Sequence, residues 1–320
     1  MEHTAAHDKT RLLVDNIESV IKGKRRTVEL ATIALLSGGQ LLIEDVPGVG
    51  KTMLARALAR SIAGSFQRIQ FTPDLLPSDV TGVSIYNQKT GEFQFQPGPI
   101  FANIVLIDEI NRTTPRTQSS LLEAMEEHQV TVDGRTRRLP DPFFVMATQN
   151  PIEFYGTYPL PEGQRDRFMV SVGLGYPSFD TEKEIANDQM ISHPIGDLDP
   201  VLSLEEIIEL QQAVRVVHLE PEVLDYAVSI VHATRNHAGL LLGASPRGSL
   251  ALARGSQAAA LMEGRDYVLP DDVKGMAPWV LPHRFITRER SRTSSSEAAA
   301  ILREILEGVP VPVGAPRRGD

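Results

Sequence analysis

Gly48, Gly50, Lys51 and Thr52 stand together behind the apolar run Leu41–Ile43 and ahead of a helix-forming stretch. Glycines let a backbone curl until successive N–H groups point inward at an anion, and the helix that follows adds its positive N-terminus. From such a loop Lys51 reaches the β- and γ-phosphates of a nucleotide, and the Thr52 hydroxyl reaches Mg²⁺. The usual phosphate-loop pattern is G-x-x-x-x-G-K-[ST]. Here Asp45 replaces its first glycine, and Gly48 is an extra one. Pro47, Val49 and Met53 complete the expected nucleotide contacts, with Gly23 as a further candidate.

A pair of carboxylates supplies the remaining chemistry. The apolar run Ile104–Ile107 ends in Asp108-Glu109. Beside a phosphate loop, Asp108 can join the shell of the magnesium ion while Glu109 orients and activates the attacking water. Asp-Glu can also be a plain polar stop to a strand, but its pairing with a phosphate loop points to hydrolysis of ATP. The eight histidines form no HExxH arrangement, and the chain has no cysteine. Neither a transition-metal site nor a disulfide framework is expected.

These residues need elements to hold them. Leu13, Ile17, Val20 and Ile21 fall at helical spacing, with Gly23 as a stop, and a second helix over Thr27–Leu36 ends at Gly38-Gly39. Buried strands are expected at Leu41–Ile43, Ile104–Ile107 and Phe143–Ala147, with helices at Met53–Ile62 and Gln118–Glu127 between them. Such alternation predicts a parallel sheet covered on both faces. Val83–Phe95 and Gln129–Leu139 read as hairpins, the second turning at Asp133-Gly134. After Tyr176-Pro177 helical patterns take over: Ser203–Val216, Glu222–His237, Ser249–Met262 and Asp271–Val280. The expected organisation is an α/β core over 1–177, an all-α domain over 178–312 and a loose tail over 313–320.

Taken together these stretches resemble the AAA+ ATPases, and within them the MoxR family. Glu44-Asp45-Val46-Pro47-Gly48-Val49-Gly50-Lys51-Thr52 is similar to that family's Walker A loop, and Ile107-Asp108-Glu109-Ile110-Asn111-Arg112 to its Walker B strand. Ala147-Thr148-Gln149-Asn150-Pro151 resembles sensor 1, Leu160-Pro161-Glu162 with Asp166-Arg167-Phe168 the arginine-finger segment, and Ser245-Pro246-Arg247 sensor 2. The resemblance implies a P-loop (AAA+) core with a helical lid, ATP or ADP with Mg²⁺ as ligands, and a ring, expected to be a hexamer. It implies that Asn150 holds the attacking water, that Arg167 enters a neighbouring subunit's site, and that Arg247 reports on the nucleotide from the lid. Arg165 is a rival to Arg167, and Arg112 is an open candidate for the subunit boundary. The hairpins match the helix-2 insert and the pre-sensor-1 hairpin, which line the pore or touch clients in related rings. The implied task is chaperone-like remodelling of partner complexes, with a von Willebrand factor A domain protein as partner.

Composition narrows the field further. The chain has 320 residues, 42% hydrophobic and 23% charged, and a formal net charge of −9. These values are ordinary for a globular protein and run against general affinity for nucleic acid, although the basic stretch Arg135, Arg137 and Arg138 is a local exception. No apolar run approaches the ~18 residues of a membrane span, and Met1–Thr10 carries no hydrophobic signal core, so a cytoplasmic location is expected. The alternatives in other classes are a DNA-dependent motor resembling the MCM helicases and a magnesium-chelatase-like ATPase subunit.

Overall fold

The computed structural model describes residues 3–150, 158, 160–191, 194–288 and 294–312. Pro151 and the expected tail 313–320 lie outside these residues. Two compact units are present, Asp8–Gln212 and a second made of the described residues of Glu2–His7 and of Ala213–Asp320.

In α1 (His3–Glu18), Leu13, Val14 and Ile17 share one buried face. Helix α2 (Arg25–Leu36) is buried along most of its length and ends where Gly38 takes a φ of +67°. There the Gly39 N–H donates to the Ala34 carbonyl (2.9 Å) and the Gly38 N–H to the Leu35 carbonyl (3.1 Å), satisfying two acceptors that the helix end leaves open. There follow β1 (Leu41–Glu44), α3 (Lys51–Ser61), β2 (Phe66–Gln70), α4 (Pro77–Thr81), β3 (Gly82–Asn87), β4 (Glu92–Pro97), β5 (Ile104–Asp108) and α5 (Pro115–Glu127). The unit continues through β6 (Gln129–Val132), β7 (Arg135–Arg138), β8 (Phe144–Gln149), α6 (Glu162–Arg165), β9 (Val170–Val172) and α7 (Phe179–Ile191).

Five of these strands form one parallel sheet in the order β2-β5-β8-β1-β9. Strands β1, β5 and β8 lie inside it and are almost wholly buried, which is why they read as unbroken apolar runs. The register sets Glu44 opposite Gln149, Ile107 opposite Ala147 and Gln70 opposite Asp108. The carboxyl ends of four strands therefore finish at one level. From β1 the chain crosses to β2 at the far edge, while β9 pairs on the other side of β1. Such a reversal opens a crevice beyond the strand ends, where ligands of α/β sheets bind. Strands β2 and β9 escape the sequence reading. In Phe66-Gln67-Arg68-Ile69-Gln70 only Ile69 is buried, because the strand lies at an edge, and β9 is too short to show a pattern.

Both expected hairpins form. Asp133 and Gly134 take φ values of +52° and +70°, the left-handed pair that a two-residue turn between twisted strands requires. Tyr86 and Phe93 face each other across β3 and β4 with ring centroids 5.3 Å apart. One correction concerns the basic stretch: Arg137 is not displayed with its neighbours. Its guanidinium lies 3.8 Å from the centroid of the Phe95 ring and donates to the Val132 and Arg135 carbonyls, joining the two hairpins.

The change in strand content near residue 177 and the division into compact units do not coincide. Helix α7 stays with the first unit because Lys22 bonds to Glu184 and Asp188, and the Gln211 amide donates to the Leu35 carbonyl (2.8 Å). Beside the start of α1, the second unit takes the end of α8 (Leu204–Val216) and continues with α9 (Pro221–Asn236), β10 (Leu240–Leu242), α10 (Pro246–Met262), α11 (Pro270–Val280), β11 (Ile286–Thr287) and α12 (Ser294–Gly308). It is helical as expected, with one addition, the short antiparallel pair β10–β11. Among the described residues no helix is long and apolar enough to cross a membrane.

The close approach after α2 yields a stability prediction. A Cβ on Gly39 would overlap the Cβ and Sδ of Met169. Gly39→Ala should cost about 1–3 kcal/mol through overpacking, read as a lower midpoint in urea unfolding.

Candidate functional site

The loop between β1 and α3 is shaped by the residue that departs from the glycine pattern. Asp45 accepts from its neighbour Val46 N–H through Oδ1 (2.8 Å) and from Gly175 N–H through Oδ2 (2.6 Å). Its own N–H donates to the Gln149 carbonyl (3.2 Å). The carboxylate thus ties the loop to the segment after β9, and the Asp45 backbone ties it to β8. Gly48 and Gly50 take φ values of +86° and +98°, a region that glycine enters without strain. Gly50 is the N-cap of α3 and gives it no side-chain cap, so the first-turn N–H groups are left for a ligand. Lys51 opens the helix, and its ammonium donates to the Asp45 carbonyl (2.6 Å). Burial pushes the Lys51 pKa down, against the opposing pull of Asp45, Asp108 and Glu109.

At the end of β5, both candidate carboxylates are held by neighbouring strands. Asp108 is buried, accepting from the Thr148 hydroxyl at Oδ1 (3.1 Å) and from Arg68 Nε at Oδ2 (2.6 Å). The Thr148 oxygen also accepts from the Glu109 N–H (2.9 Å). Glu109 itself adopts φ +59° and ψ +54°, a left-handed conformation that costs a non-glycine residue about 1–3 kcal/mol and recurs at functional sites. Its carboxylate accepts from Gln70 Nε2 (2.7 Å) and pairs with Arg112 Nε (3.3 Å). Asn150 is buried just beyond the end of β8. Arg68, Gln70 and Thr148 were missed from sequence. Thr148 stands two residues before Asn150, and the only signal for the other two is their i, i+2 spacing on an edge strand with a single buried residue.

A cleft of about 250 Å³ is lined by Pro47, Gly48, Gly50, Lys51, Thr52, Met53, Asp108, Glu109, Thr148 and Asn150, with Arg68 and Gln70 on its β2 side. A second, larger cavity of about 380 Å³ shares Pro47, Gly48, Gly50 and Met53 with it. Its further lining includes Val49, Val20, Ile21, Tyr176, Pro177 and Ile185. The cleft is polar and charged, whereas the larger cavity is mixed, its apolar residues standing beside Lys22, Lys24, Glu182, Asp188 and Gln189. For a divalent cation the donors are the Thr52 hydroxyl and the Asp108 carboxylate, and no cluster of three or more metal-binding side chains occurs among the described residues. That set fits Mg²⁺, which keeps several waters and shares its shell with phosphate oxygens.

The other expected residues are not all gathered here. Gly23 lines neither cavity. It forms a turn with φ +68° between two lining residues, Lys22 and Lys24, and a Cβ there would come within 3.2 Å of the Thr181 hydroxyl. Arg167 turns toward α5, donating to the Leu122 carbonyl (3.1 Å) and pairing with Glu126. Arg165 lies 3.6 Å from Glu44 at the end of β1. The Nε of each is buried without a hydrogen-bond partner among the described residues. Arg247 belongs to the second unit, in the first turn of α10, where its N–H donates to the capping Ser245 hydroxyl (3.0 Å).

Comparison with known proteins bears on this arrangement. Residues 40–170 match the model for the ATPase family associated with various cellular activities (AAA), and residues 232–305 match the AAA lid domain. The chain is 57% identical over 300 residues to the uncharacterized protein YeaC of Bacillus subtilis, covering 94% of each chain. It is 41% identical to chaperone MoxR1 of Mycobacterium tuberculosis over 92% of this chain and 80% of that one. With the protein MoxR of Methylorubrum extorquens the identity is 30%, over 92% of this chain and 93% of that one. The crystal structure of a protein assigned as an ATPase from Cytophaga hutchinsonii superposes with a TM-score of 0.90 at 36% identity, covering 97% of each chain. An MCM homologue from Methanopyrus kandleri shares the fold alone, at 16% identity and a TM-score of 0.57. With the parallel sheet, the glycine-shaped loop and full-length relatives in agreement, the chain belongs to the MoxR family of AAA+ ATPases.

Proposed function

We propose that this chain hydrolyses ATP to ADP and phosphate and uses the cycle to remodel partner protein complexes. The observation that carries the reading is the convergence of Lys51, Thr52, Asp108, Glu109 and Asn150 on one cleft at the uncapped start of α3. The larger cavity takes the base against Val20, Ile21, Val49 and Ile185, and the N–H groups of Gly48 to Thr52 receive the phosphates. Lys51 exchanges the Asp45 carbonyl for a phosphate oxygen, a stronger, charge-assisted partner. Thr52 and Asp108 would hold Mg²⁺, which supplies charge neutralisation for the phosphates. Asn150 orients the attacking water, and Glu109 takes its proton as oxygen adds to the γ-phosphorus and ADP departs. Arg167 is the residue offered to a neighbouring subunit, where a guanidinium offsets charge on the transferring phosphoryl group.

This reading extends to an expected hexameric ring, with the second unit as a lid that carries Arg247. It also takes in a cytoplasmic location and a von Willebrand factor A domain partner. The name chaperone MoxR1 borne by one relative supports a protein client. The net charge of −9 and the engagement of Arg137 within the fold argue against nucleic acid as the working substrate.

Three outcomes are expected. Lys51→Ala abolishes ATP binding in calorimetry, while Glu109→Gln binds normally and loses at least about 100-fold in turnover; a Glu109→Gln chain with native turnover rules out the assigned base. Arg167→Ala binds nucleotide but turns over poorly, and mixing it with Lys51→Ala restores activity. Mixed rings that form and stay inactive would remove the trans role, and a defect in Arg165→Ala instead would transfer it to Arg165. At low salt the ATPase rate is insensitive to DNA or RNA but changes on adding a von Willebrand-type partner. Stimulation by nucleic acid that vanishes when Arg135 and Arg138 are neutralised favours the motor reading.

A further inference from the structure

A polar chain along β2 has no part in the roles assigned above. Arg68 Nε donates to Asp108 Oδ2 (2.6 Å), Arg68 Nη2 to Gln70 Oε1 (3.2 Å) and Gln70 Nε2 to Glu109 Oε2 (2.7 Å). A guanidinium only donates, so the Gln70 oxygen faces Arg68 and its NH₂ group faces Glu109. The two partners in the ion pair are unequally free. The Asp108 side chain is 13% exposed and held at its other oxygen by Thr148, whereas Arg68 is 51% exposed on an edge strand. The arginine can withdraw into water at small cost, and the carboxylate cannot follow it.

We propose that Arg68 is a positioning residue that holds the Asp108 carboxylate in the metal-free site and gives it up when a divalent cation takes that oxygen together with the nucleotide. The inference rests on the ATPase reading of the cleft. Its physical basis is a change of sign. Without metal, Asp108 repels incoming phosphates, and the Arg68 charge offsets that repulsion. With metal, the carboxylate is already neutralised, and the Arg68 pair is a bond that must first be broken. Arg68 therefore favours nucleotide binding in one condition and opposes it in the other. The second anchor on Gln70 keeps the guanidinium beside the site in the meantime.

The test is the affinity for the non-hydrolysable analogue AMP-PNP, measured by calorimetry in excess Mg²⁺ and in EDTA. Arg68→Ala should bind more tightly than the native chain in Mg²⁺ and more weakly in EDTA. The ratio of the two affinities should rise roughly fivefold, the scale of a partly exposed ion pair. Arg68→Lys keeps a cation and should restore most of the native ratio. Arg68→Gln keeps a polar stem and should repeat the crossover if the alanine variant folds poorly. A purely structural role moves both affinities in the same direction, and an unchanged ratio overturns the proposal. A native chain that binds no AMP-PNP in either condition overturns the ATPase reading itself, and the inference with it, so the two failures are distinguishable.

Discussion

Parallel pairing in fixed register is the constraint on which the candidate site depends. With Gln70 opposite Asp108 and Ile107 opposite Ala147, strands β2, β5 and β8 finish side by side, and β1 ends level with β8. Each strand then delivers its next side chain into the same crevice: the glycine loop from β1, the two carboxylates from β5, and Thr148 and Asn150 from β8. A slip of one residue would turn every one of these side chains to the opposite face of the sheet. The buried apolar interior of β1, β5 and β8 guards against such a slip, so the packing of the core also sets the geometry of the cleft.

Within that frame, the charged groups of the cleft are partnered by the chain itself. Lys51 rests on the Asp45 carbonyl, Asp108 on Arg68 and Thr148, and Glu109 on Gln70 and Arg112. Partly buried charges need such partners, because an unpaired one is costly to keep out of water. The partners differ in how readily they can be exchanged. Arg68 and Arg112 sit at exposed positions, whereas the Thr148 hydroxyl is buried and bridges Asp108 to the Glu109 backbone. The fixed bonds hold the residues in place, and in the proposed function the exchangeable ones give way to ligand.

The hairpins follow a related logic outside the cleft. Arg137 lies over Phe95 and donates to two carbonyls of its own hairpin, while Val83, Ile85, Tyr86 and Phe93 are exposed on β3 and β4. The second hairpin passes through Leu139 to β8, the strand that carries Thr148 and precedes Asn150.

Residue types and their spacing are enough to read the chemistry of the loop and the interior of the sheet. Gly48, Gly50, Lys51 and Thr52 are legible because few residue types perform those tasks, and β1, β5 and β8 are legible because burial on both faces demands unbroken apolar runs. Asp133-Gly134 announced its turn for a similar reason, since its backbone conformation excludes most residues. Tertiary structure alone decided the rest. Arg68 and Gln70 became site residues through an edge strand whose pattern carries almost no apolar signal. Asp45, a departure from the loop pattern, proved to be an anchor only once Gly175 was brought to it. Arg137 left the basic surface for an aromatic ring remote in sequence. The chain division at residue 212 depends on contacts that α7 and Gln211 make with residues far away in sequence. Local patterns record what one segment needs from its surroundings, and which distant segment supplies it is settled only when the chain is folded.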